Sequence, residues 1–296
     1  MEGARLRAPG QPHGRAGLVR RLVVTADDFG LSSEVNAAVL EAYRHGILSA
    51  ASLMAGGPAF EEAVALAKAA PGLAVGLHLA LVEADPVLPP RSIPDLVDAR
   101  GRLRSDLARV GAAVFFSPRV RAQAEAECRA QFERFASSGL PFDHVNGHNH
   151  FHIHPTVAGI VCRLAREFRV PAVRVPAQSW RGLPWAQAGM AAVMAPWTAL
   201  ARRRFAASGL ACNDALYGLF ETGAMDEAAW LSVAGRLGEG VTEVYCHPAT
   251  ATRGVLAAEM PGYRHADELA ALLSGRVRDA LERAGAARMP FAEAVR

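Results

Sequence analysis

Residues 21–30 of the chain, RLVVTADDFG, join a strand-forming run to two adjacent carboxylates and then to a glycine. The β-branched run before Asp27 is typical of a strand, and it stops abruptly at Asp27 and Asp28. Ser32 and Ser33 follow closely and offer N-caps for a helix. A strand that ends in acidic residues and leads into a helix predicts the first unit of an alternating α/β chain.

The same alternation of strand patterns and helix patterns continues along the chain. The predicted strands cover residues 21–26, 51–56, 73–79, 142–146, 172–175, 241–246 and 289–291. The predicted helices cover residues 33–44, 58–69, 119–138, 155–168 and 263–284. Residues 83–118 are rich in Pro, Asp and Arg and are predicted to be irregular. This order predicts a parallel sheet that forms a closed or nearly closed α/β barrel, in a single domain over residues 20–296.

The composition excludes several classes of protein. Hydrophobic residues make up 51% and charged residues 21% of the 296 residues, which excludes extended disorder. The net charge is only +3, from 32 basic and 29 acidic residues, and gives no electrostatic footprint for nucleic acid. The 4 cysteines are scattered, which indicates free thiols in a reducing compartment and a cytoplasmic protein. Residues 1–19 carry arginines but no apolar signal core, and we expect a disordered basic tail there.

Most of the 10 histidines lie where predicted strands end. His78 lies near the end of the third predicted strand, a cluster occupies residues 144–154, and His247 follows the strand at residues 241–246. Taken singly, an Asp-Asp pair is more often a turn or a helix cap, and a strand histidine is more often a hydrogen-bonded core residue. Because barrel active sites lie at the carboxyl ends of the strands, the combination instead predicts one reactive site.

The residue types in this cluster point to metal chemistry. A carboxylate and two neutral imidazoles can hold one divalent ion and leave positions open for water and substrate. A second carboxylate beside the ion can act as the general base for that water. Adjacent residues at a strand end point in opposite directions, so Asp27 and Asp28 cannot easily do the same job. The sequence therefore predicts one ligand and one base in this pair.

Four motifs, in this order, resemble the YdjC-like (ChbG-type) carbohydrate deacetylases, which include the chitooligosaccharide deacetylases. The motifs are TADDFGLS at residues 25–32, GLHL at residues 76–79, the histidines of residues 144–152 and CHP at residues 246–248. The resemblance runs from about residue 21 to the last predicted strand. It implies a TIM-like, distorted β/α barrel of the glycoside hydrolase and deacetylase type, and hydrolysis of the N-acetyl group of an amino sugar.

The resemblance also implies a role for each residue of the site. Asp28, His78 and His148 match the metal ligands of the family, and Mg²⁺ or Zn²⁺ is the expected ion. Asp27 matches the base that activates the attacking water. His247 matches the histidine that assists the leaving amine.

Three further residues, Arg174, Asn146 and His150, are expected to contact the substrate. Asn146 stands where the commoner family pattern has an aspartate, so the chain lacks an acid that could orient the neighbouring histidines. Arg174 closes the predicted strand at residues 172–175, where it could contact substrate oxygens or equally form a structural salt bridge.

Three blocks of sequence resemble the hopanoid-biosynthesis-associated HpnK proteins within this family. They are SAASLMAGGP at residues 49–58, the stretch at residues 78–90, and HVNGHNH at residues 144–150. This second resemblance implies N-acetylglucosaminyl bacteriohopanetetrol as the substrate. The products would be the glucosaminyl hopanoid and acetate.

The segment at residues 182–204 is relevant to the question of whether the substrate is a lipid. It carries no charge up to residue 201 and then continues as Arg202-Arg203-Arg204. Interrupting Pro and Gly residues make it a poor membrane span. Two interpretations stay open: a buried barrel helix, or an interfacial lid that contacts lipid at the inner face of the membrane. A second copy of the chain, in a homodimer, also stays open as a partner.

Other functions remain as alternatives. Soluble chitooligosaccharides are the alternative substrates. A metal-dependent phosphoesterase would use similar ligands, but usually with more carboxylates or a second metal. A glycoside hydrolase needs two carboxylates that flank a sugar bond, which the adjacent Asp27 and Asp28 do not provide. A non-catalytic metal-binding protein would normally have four protein ligands and no neighbouring base.

Overall fold

The computed structural model describes residues 20–178 and 184–296, and the expected tail at residues 1–19 lies outside them. In the described residues the strands form one sheet, and every paired strand is parallel to its neighbour. The strands are β1 (Arg20–Phe29), β2 (Ala50–Leu53), β3 (Ala74–Leu79), β4 (Val145–Gly147), β5 (Ala172–Val173), β6 (Ala211–Cys212), β7 (Ala215–Tyr217), β8 (Gly240–Cys246) and β9 (Ala286–Arg288). Their order is β6-β5-β4-β3-β2-β1-β8-β7, with β9 beside β1.

The centre of the sheet is β1, which contains both aspartates near its carboxyl end. It pairs with β8 from Arg20 to Ala26, with β2 from Thr25 onward, and with β9 at its first three residues. Every residue from Leu22 to Phe29 is buried. The carboxyl end of β1, where Asp27 and Asp28 lie, is therefore inside the protein.

The sheet curls until its two ends approach each other. β6 and β7 are at opposite ends of the strand order, yet only Asn213 and Asp214 separate them along the chain. The side chain of Asn213 accepts a hydrogen bond from the N–H of Val175 at 2.7 Å and donates one to its carbonyl at 2.9 Å. Gln178 then forms a parallel bridge to Leu216 in β7. The fold is a TIM-like, distorted β/α barrel, which confirms the predicted class.

Helices alternate with these strands over most of the described chain. They are α1 (Ser33–His45), α2 (Phe60–Lys68), α3 (Leu107–Phe116), α4 (Pro118–Ser137), α5 (Pro155–Glu167), α6 (Trp185–Ala207), α7 (Glu227–Ala234), α8 (Val255–Glu259), α9 (His265–Leu273), α10 (Gly275–Arg283) and α11 (Phe291–Ala294). Ser32 caps α1 as predicted, because its hydroxyl accepts a hydrogen bond from the N–H of Val35. Short 3-10 helices occupy Pro90–Ser92 and His148–Ile153.

The prediction that residues 83–118 are irregular is wrong for their second half, which contains α3. Asp106 caps this helix by accepting a hydrogen bond from the N–H of Arg109 at 3.0 Å. Val110 and Val114 are buried on its inner face. The acidic cap and the apolar spacing were both present in the sequence, but the surrounding Pro and Arg residues obscured them.

Two predictions near the C-terminus are also wrong in detail. The single helix expected over residues 263–284 is divided at Ser274, whose extended backbone ends α9 and whose hydroxyl caps α10. The strand expected at residues 289–291 lies earlier, at Ala286–Arg288, and Phe291 instead begins α11.

The segment at residues 182–204 falls mostly on α6, and its first two residues lie outside the described ones. Only four side chains of α6 are buried: Ala191, Thr198, Ala201 and Phe205. Over most of its length the interpretation as a buried barrel helix is therefore wrong. Among the described residues, no helix combines the length and the hydropathy that crossing a bilayer requires.

Candidate metal centre

A break in the pleat of β1 brings both aspartates to one site. The register between β1 and β2 shifts between Ala26 and Phe29, and Asp28 has a left-handed backbone with φ of 61°. The expected alternation of Asp27 and Asp28 between opposite faces therefore does not hold here, and both carboxylates line the same cavity. A left-handed conformation is costly for a residue with a Cβ, and such strain is typical of functional sites.

Three predicted ligands meet at this point: Asp28 at the end of β1, His78 in β3, and His148, which directly follows β4. Oδ1 of Asp28 lies 3.3 Å from Nε2 of His78 and 3.3 Å from Nδ1 of His148. The two imidazole nitrogens are also 3.3 Å apart. The three potential ligand atoms thus form an equilateral triangle.

The triangle fits a metal ion. Ligand atoms about 2.0 Å from one ion, at tetrahedral angles to one another, lie about 3.3 Å apart, which is the spacing found here. Among the described residues, neither carboxylate oxygen of Asp28 has a hydrogen-bond partner, although both are buried. A buried, unsatisfied carboxylate that faces two imidazole nitrogens is the arrangement expected of a ligand set.

The electrostatics of the triangle favour an anionic Asp28. Burial alone would raise the pKa of Asp28, but contacts with His148 and His78 outweigh it and hold that pKa well below its usual value. For His148, burial alone would lower the pKa, and the contact with Asp28 raises it. The site therefore attracts positive charge, either protons on imidazole or a cation in their place.

Asp27 lies beside the triangle and belongs to a different network. Nη1 of Arg174 donates to one of its oxygens at 2.5 Å and Nη2 donates to the other at 3.0 Å. Burial opposes ionisation of Asp27, but Arg174 and His78 outweigh burial and lower the pKa of this carboxyl below its usual value. Asp27 is therefore a carboxylate at neutral pH, and it is not one of the three potential metal ligands.

Arg174 is fully buried and forms an ion pair on both sides. Besides Asp27, it contacts Oε1 of Glu243 in β8, at 2.7 Å from Nη2 and 3.0 Å from Nε. Its guanidinium also stacks over the ring of Tyr245. It does not line the site cavity, so of the two interpretations offered for Arg174 the structure shows the salt bridge. Glu243 was not among the predicted site residues, although an acidic residue inside a buried strand is itself a signal of a buried partner.

Asn146 connects Asp27 to the triangle. Its Oδ1 accepts a hydrogen bond from Nδ1 of His78 at 2.8 Å, and its Nδ2 donates to Asp27 at 3.1 Å and to the hydroxyl of Ser52 at 2.8 Å. Asn146 is fully buried below the cavity rather than on its wall. The structure therefore shows contacts with His78 and Asp27 in place of the expected substrate contact.

His247 follows β8 and lies on the wall of the same cavity. Burial lowers its pKa, so the imidazole is neutral at pH 7, and its Nδ1 has no partner among the described residues. Its backbone N–H donates to Glu268, and its carbonyl contacts Nδ1 of His265 at 2.6 Å. The backbone of His247 is thus fixed on both sides, while the ring is free to meet a substrate.

The histidines of residues 144–154 do not share one role. Besides His148, only His150 lines the site cavity, where its Nε2 is 3.3 Å from the hydroxyl of Tyr245. His144 points away, to Asp143 at 2.9 Å and to Ser52 at 3.0 Å. Nε2 of His152 donates to the carbonyl of Arg174 at 2.8 Å. Sequence spacing alone could not separate these roles, because Asn149 and His150 both have left-handed backbones.

The cavity around the triangle has a volume of about 550 Å³, within the range of small-molecule sites. Besides the two aspartates, the charged residues that form part of its wall include Asp98, Arg100, Arg102 and Glu259. Arg102 pairs with Asp85 at 2.8 Å and also with Glu259. The site cavity therefore carries charged side chains of both signs beside apolar ones such as Leu31 and Met54.

Comparisons with known proteins find relatives of this chain. A family model described as YdjC-like protein matches residues 21–283. A carbohydrate deacetylase from Geobacillus stearothermophilus is 34% identical over 232 residues, 78% of this chain and 80% of that protein. One from Brevibacillus brevis is 44% identical over 156 residues, 53% of this chain and 59% of that protein, so this match spans less than two thirds of the relative.

A solved structure shares the fold. It comes from Enterococcus faecalis and is named for cellobiose-phosphate cleavage. Its TM-score is 0.73 at 24% identity, and the alignment covers 94% of this chain and 100% of that one. At this identity the likeness shows the fold alone, which is the same distorted barrel over nearly the whole chain.

Proposed function

The chain belongs to the YdjC-like protein family, and from this premise we propose that it is a metal-dependent carbohydrate deacetylase. The reaction is hydrolysis of an amide C–N bond, in which an N-acetylated amino sugar and water give the free amine and acetate. The observation that carries the proposal is the triangle of Asp28, His78 and His148 with the unused carboxylate of Asp27 beside it.

Asp28, His78 and His148 would hold the ion, and Asp27 would be left to move protons. A divalent ion in this position supplies Lewis acidity to the acetyl carbonyl and to the attacking water. Two imidazoles and one carboxylate suit Zn²⁺ better than Mg²⁺, which prefers oxygen ligands. We therefore propose zinc as the ion that fits these donors and magnesium as the alternative.

Asp27 acts as the general base. Arg174 and Asn146 hold its carboxylate in place and keep it ionised. As the water oxygen bonds to the acetyl carbon, Asp27 takes one of the water protons. The C–N bond then breaks, and that proton is returned to the departing nitrogen. The second water proton leaves the acetic acid product, so acetate and a protonated amine are formed.

His247 assists the leaving nitrogen. Because burial keeps its imidazole neutral, it does not hold a spare proton at rest and must relay one. Its ring lies on the wall of the site cavity with Nδ1 unpartnered among the described residues. His150 lies on the same wall and contacts the hydroxyl groups of the sugar.

For the substrate we propose N-acetylglucosaminyl bacteriohopanetetrol. The sequence blocks at residues 49–58, 78–90 and 144–150 support this choice, since they resemble the hopanoid-associated subgroup. A lipid-linked substrate would also bring the chain to the inner face of the membrane as a peripheral protein. Soluble chitooligosaccharides are the competing substrates.

The test is acetate release by the purified protein from two substrates, the glycosylated hopanoid and diacetylchitobiose. Each is measured before chelation, after chelation, and after restoration with Zn²⁺ or Mg²⁺. Chelator-sensitive release from the hopanoid, at least tenfold faster than from the soluble sugar, is the expected result. Release from the soluble sugar alone would contradict the lipid substrate, and no release from either would contradict the deacetylase.

A further inference from the structure

An apolar groove opens beside the site cavity, between α3 and α6. Its walls include Ala108 and Ala112 of α3, Met194 and Trp197 of α6, and Ile153 between them. The volume of this apolar groove is about 430 Å³. Among the described residues that line it there is no Asp, Glu, Lys or Arg, whereas the site cavity carries several charged side chains. The two spaces differ sharply in polarity.

The apolar groove and the site cavity adjoin each other. Four residues line both of them: Leu107, Asn149, His150 and Leu219. Asn149 and His150 directly follow the ligand His148 in the chain. The other end of a molecule whose acetylated end reaches the metal centre would therefore lie next to the apolar groove.

The apolar side chains around the apolar groove are unusually exposed to solvent. All of the large hydrophobic side chains that are exposed in the described chain lie on α3 or α6. Phe116 is 79% exposed and Trp197, on the groove wall, is 41% exposed. Concentrated apolar exposure of this kind marks a binding surface rather than ordinary solvent-facing structure.

We propose that the apolar groove binds the apolar aglycone of the substrate while the acetylated sugar occupies the site cavity. The inference rests on the proposed deacetylase function and adds the place where the apolar part of an amphiphilic glycoside binds. A cavity with charged side chains beside an uncharged groove matches a molecule with a sugar at one end and a hydrocarbon body at the other. A second copy of the chain or a bilayer would not require the apolar groove to adjoin the site cavity.

The test uses methyl, butyl and octyl glycosides of N-acetylglucosamine, each below its micelle concentration. With the wild-type protein, kcat/KM should rise with chain length, by up to about fourfold for each methylene that becomes buried. The octyl preference is the ratio of kcat/KM for the octyl glycoside to kcat/KM for the methyl glycoside. Ala112→Phe fills the groove from the exposed face of α3 and should lower this ratio at least tenfold.

The matched control is Ala199→Phe, which adds the same side chain to an exposed position of α6 that does not line the groove. It should keep the full octyl preference. Equal kcat/KM for all three glycosides, or an equal loss on all three in Ala112→Phe, would overturn the proposal. If kcat/KM is equal for all three glycosides, sedimentation of the protein with lipid vesicles would assign the surface to a bilayer. Self-association of the protein would instead assign it to a second copy of the chain.

A binding measurement separates this proposal from the deacetylase itself. If no glycoside releases acetate, the proposed function fails, but calorimetric titration with the octyl glycoside still tests the groove. Binding by the wild-type protein and by Ala199→Phe, with at least tenfold weaker binding by Ala112→Phe, would support the subsite. Equal binding by all three proteins would overturn it.

Discussion

Nδ1 of His78 donates a hydrogen bond of 2.8 Å to Oδ1 of Asn146, and this contact decides which nitrogen of His78 faces Asp28. The amide nitrogen of Asn146 already donates to Asp27 and to Ser52, so its oxygen is left as the acceptor. His78 must then carry its proton on Nδ1, and Nε2 presents a free electron pair to the triangle. Asn146 therefore performs the orienting role that an aspartate would otherwise have.

This relationship predicts the behaviour of two variants at position 146. Asn146→Ala removes the acceptor for His78 and should weaken metal affinity by about 10- to 100-fold. Asn146→Asp restores an acceptor of the same shape and should keep metal affinity within about threefold of the wild-type value. Competition with a fluorescent chelator measures both affinities. Wild-type affinity in Asn146→Ala would show that His78 is oriented by something else.

Arg174 should be required for stability as well as for the ionised state of Asp27. Arg174→Met leaves Asp27 and Glu243 buried without a cation, and the free energy of unfolding should fall by about 3–5 kcal/mol. Urea unfolding measures this loss. Adding Glu243→Gln to Arg174→Met should recover part of it, because one uncompensated charge is then removed.

The control for Arg174 is Arg129, which forms a two-bond pair with Glu167 at the surface. Because solvent screens an exposed pair, Arg129→Met should leave the free energy of unfolding nearly unchanged. Comparable losses in the two variants would mean that the cost reflects the missing side-chain volume and not the buried charges.

Stability should fall as the pH is lowered from 7 to 5, in part because of His152. Burial lowers the pKa of His152 to about 3 in the folded state, whereas an unfolded histidine titrates at about 6.5. Between these values only the unfolded chain takes up the proton, so the folded state loses about 1.4 kcal/mol for each pH unit well below 6.5. From pH 7 to pH 5 this amounts to about 2 kcal/mol.

His152→Gln isolates this contribution. Its amide can still donate to the carbonyl of Arg174 but does not titrate, so its loss of stability between pH 7 and pH 5 should be about 2 kcal/mol smaller than that of the wild type. Urea unfolding with a chelator present at both pH values keeps metal release out of the comparison. His45→Gln, at an exposed site, should have the wild-type pH dependence. An unchanged pH dependence in His152→Gln would refute the assignment.

The sequence was sufficient to predict the elements whose periodicity is strong. The β-branched run before Asp27 predicted β1, and Ser32 predicted the start of α1, because both signals are local. The barrel class followed from the alternation of strands and helices. α3 was missed because its cap and apolar spacing lie within a stretch rich in Pro and Arg, and the break at Ser274 depends on backbone angles that composition does not reveal.

The candidate site was predictable in its residues but not in its geometry. The resemblance named Asp28, His78 and His148, which the structure brings together. It could not show that a left-handed Asp28 turns both aspartates toward one cavity, because this depends on how β1 shifts against β2. Nor could it show that Arg174 pairs with Glu243 across the barrel, since that contact joins residues far apart in the chain.

The most direct test of the account compares Asp27→Asn with Asp28→Asn, because it assigns base and ligand separately. Metal content and acetate release are measured on both variants under the same conditions. Asp27→Asn should bind one ion as the wild type does and lose at least about 100-fold in kcat, whereas Asp28→Asn should lose the ion itself. Loss of metal in Asp27→Asn with retention in Asp28→Asn would contradict the assignment.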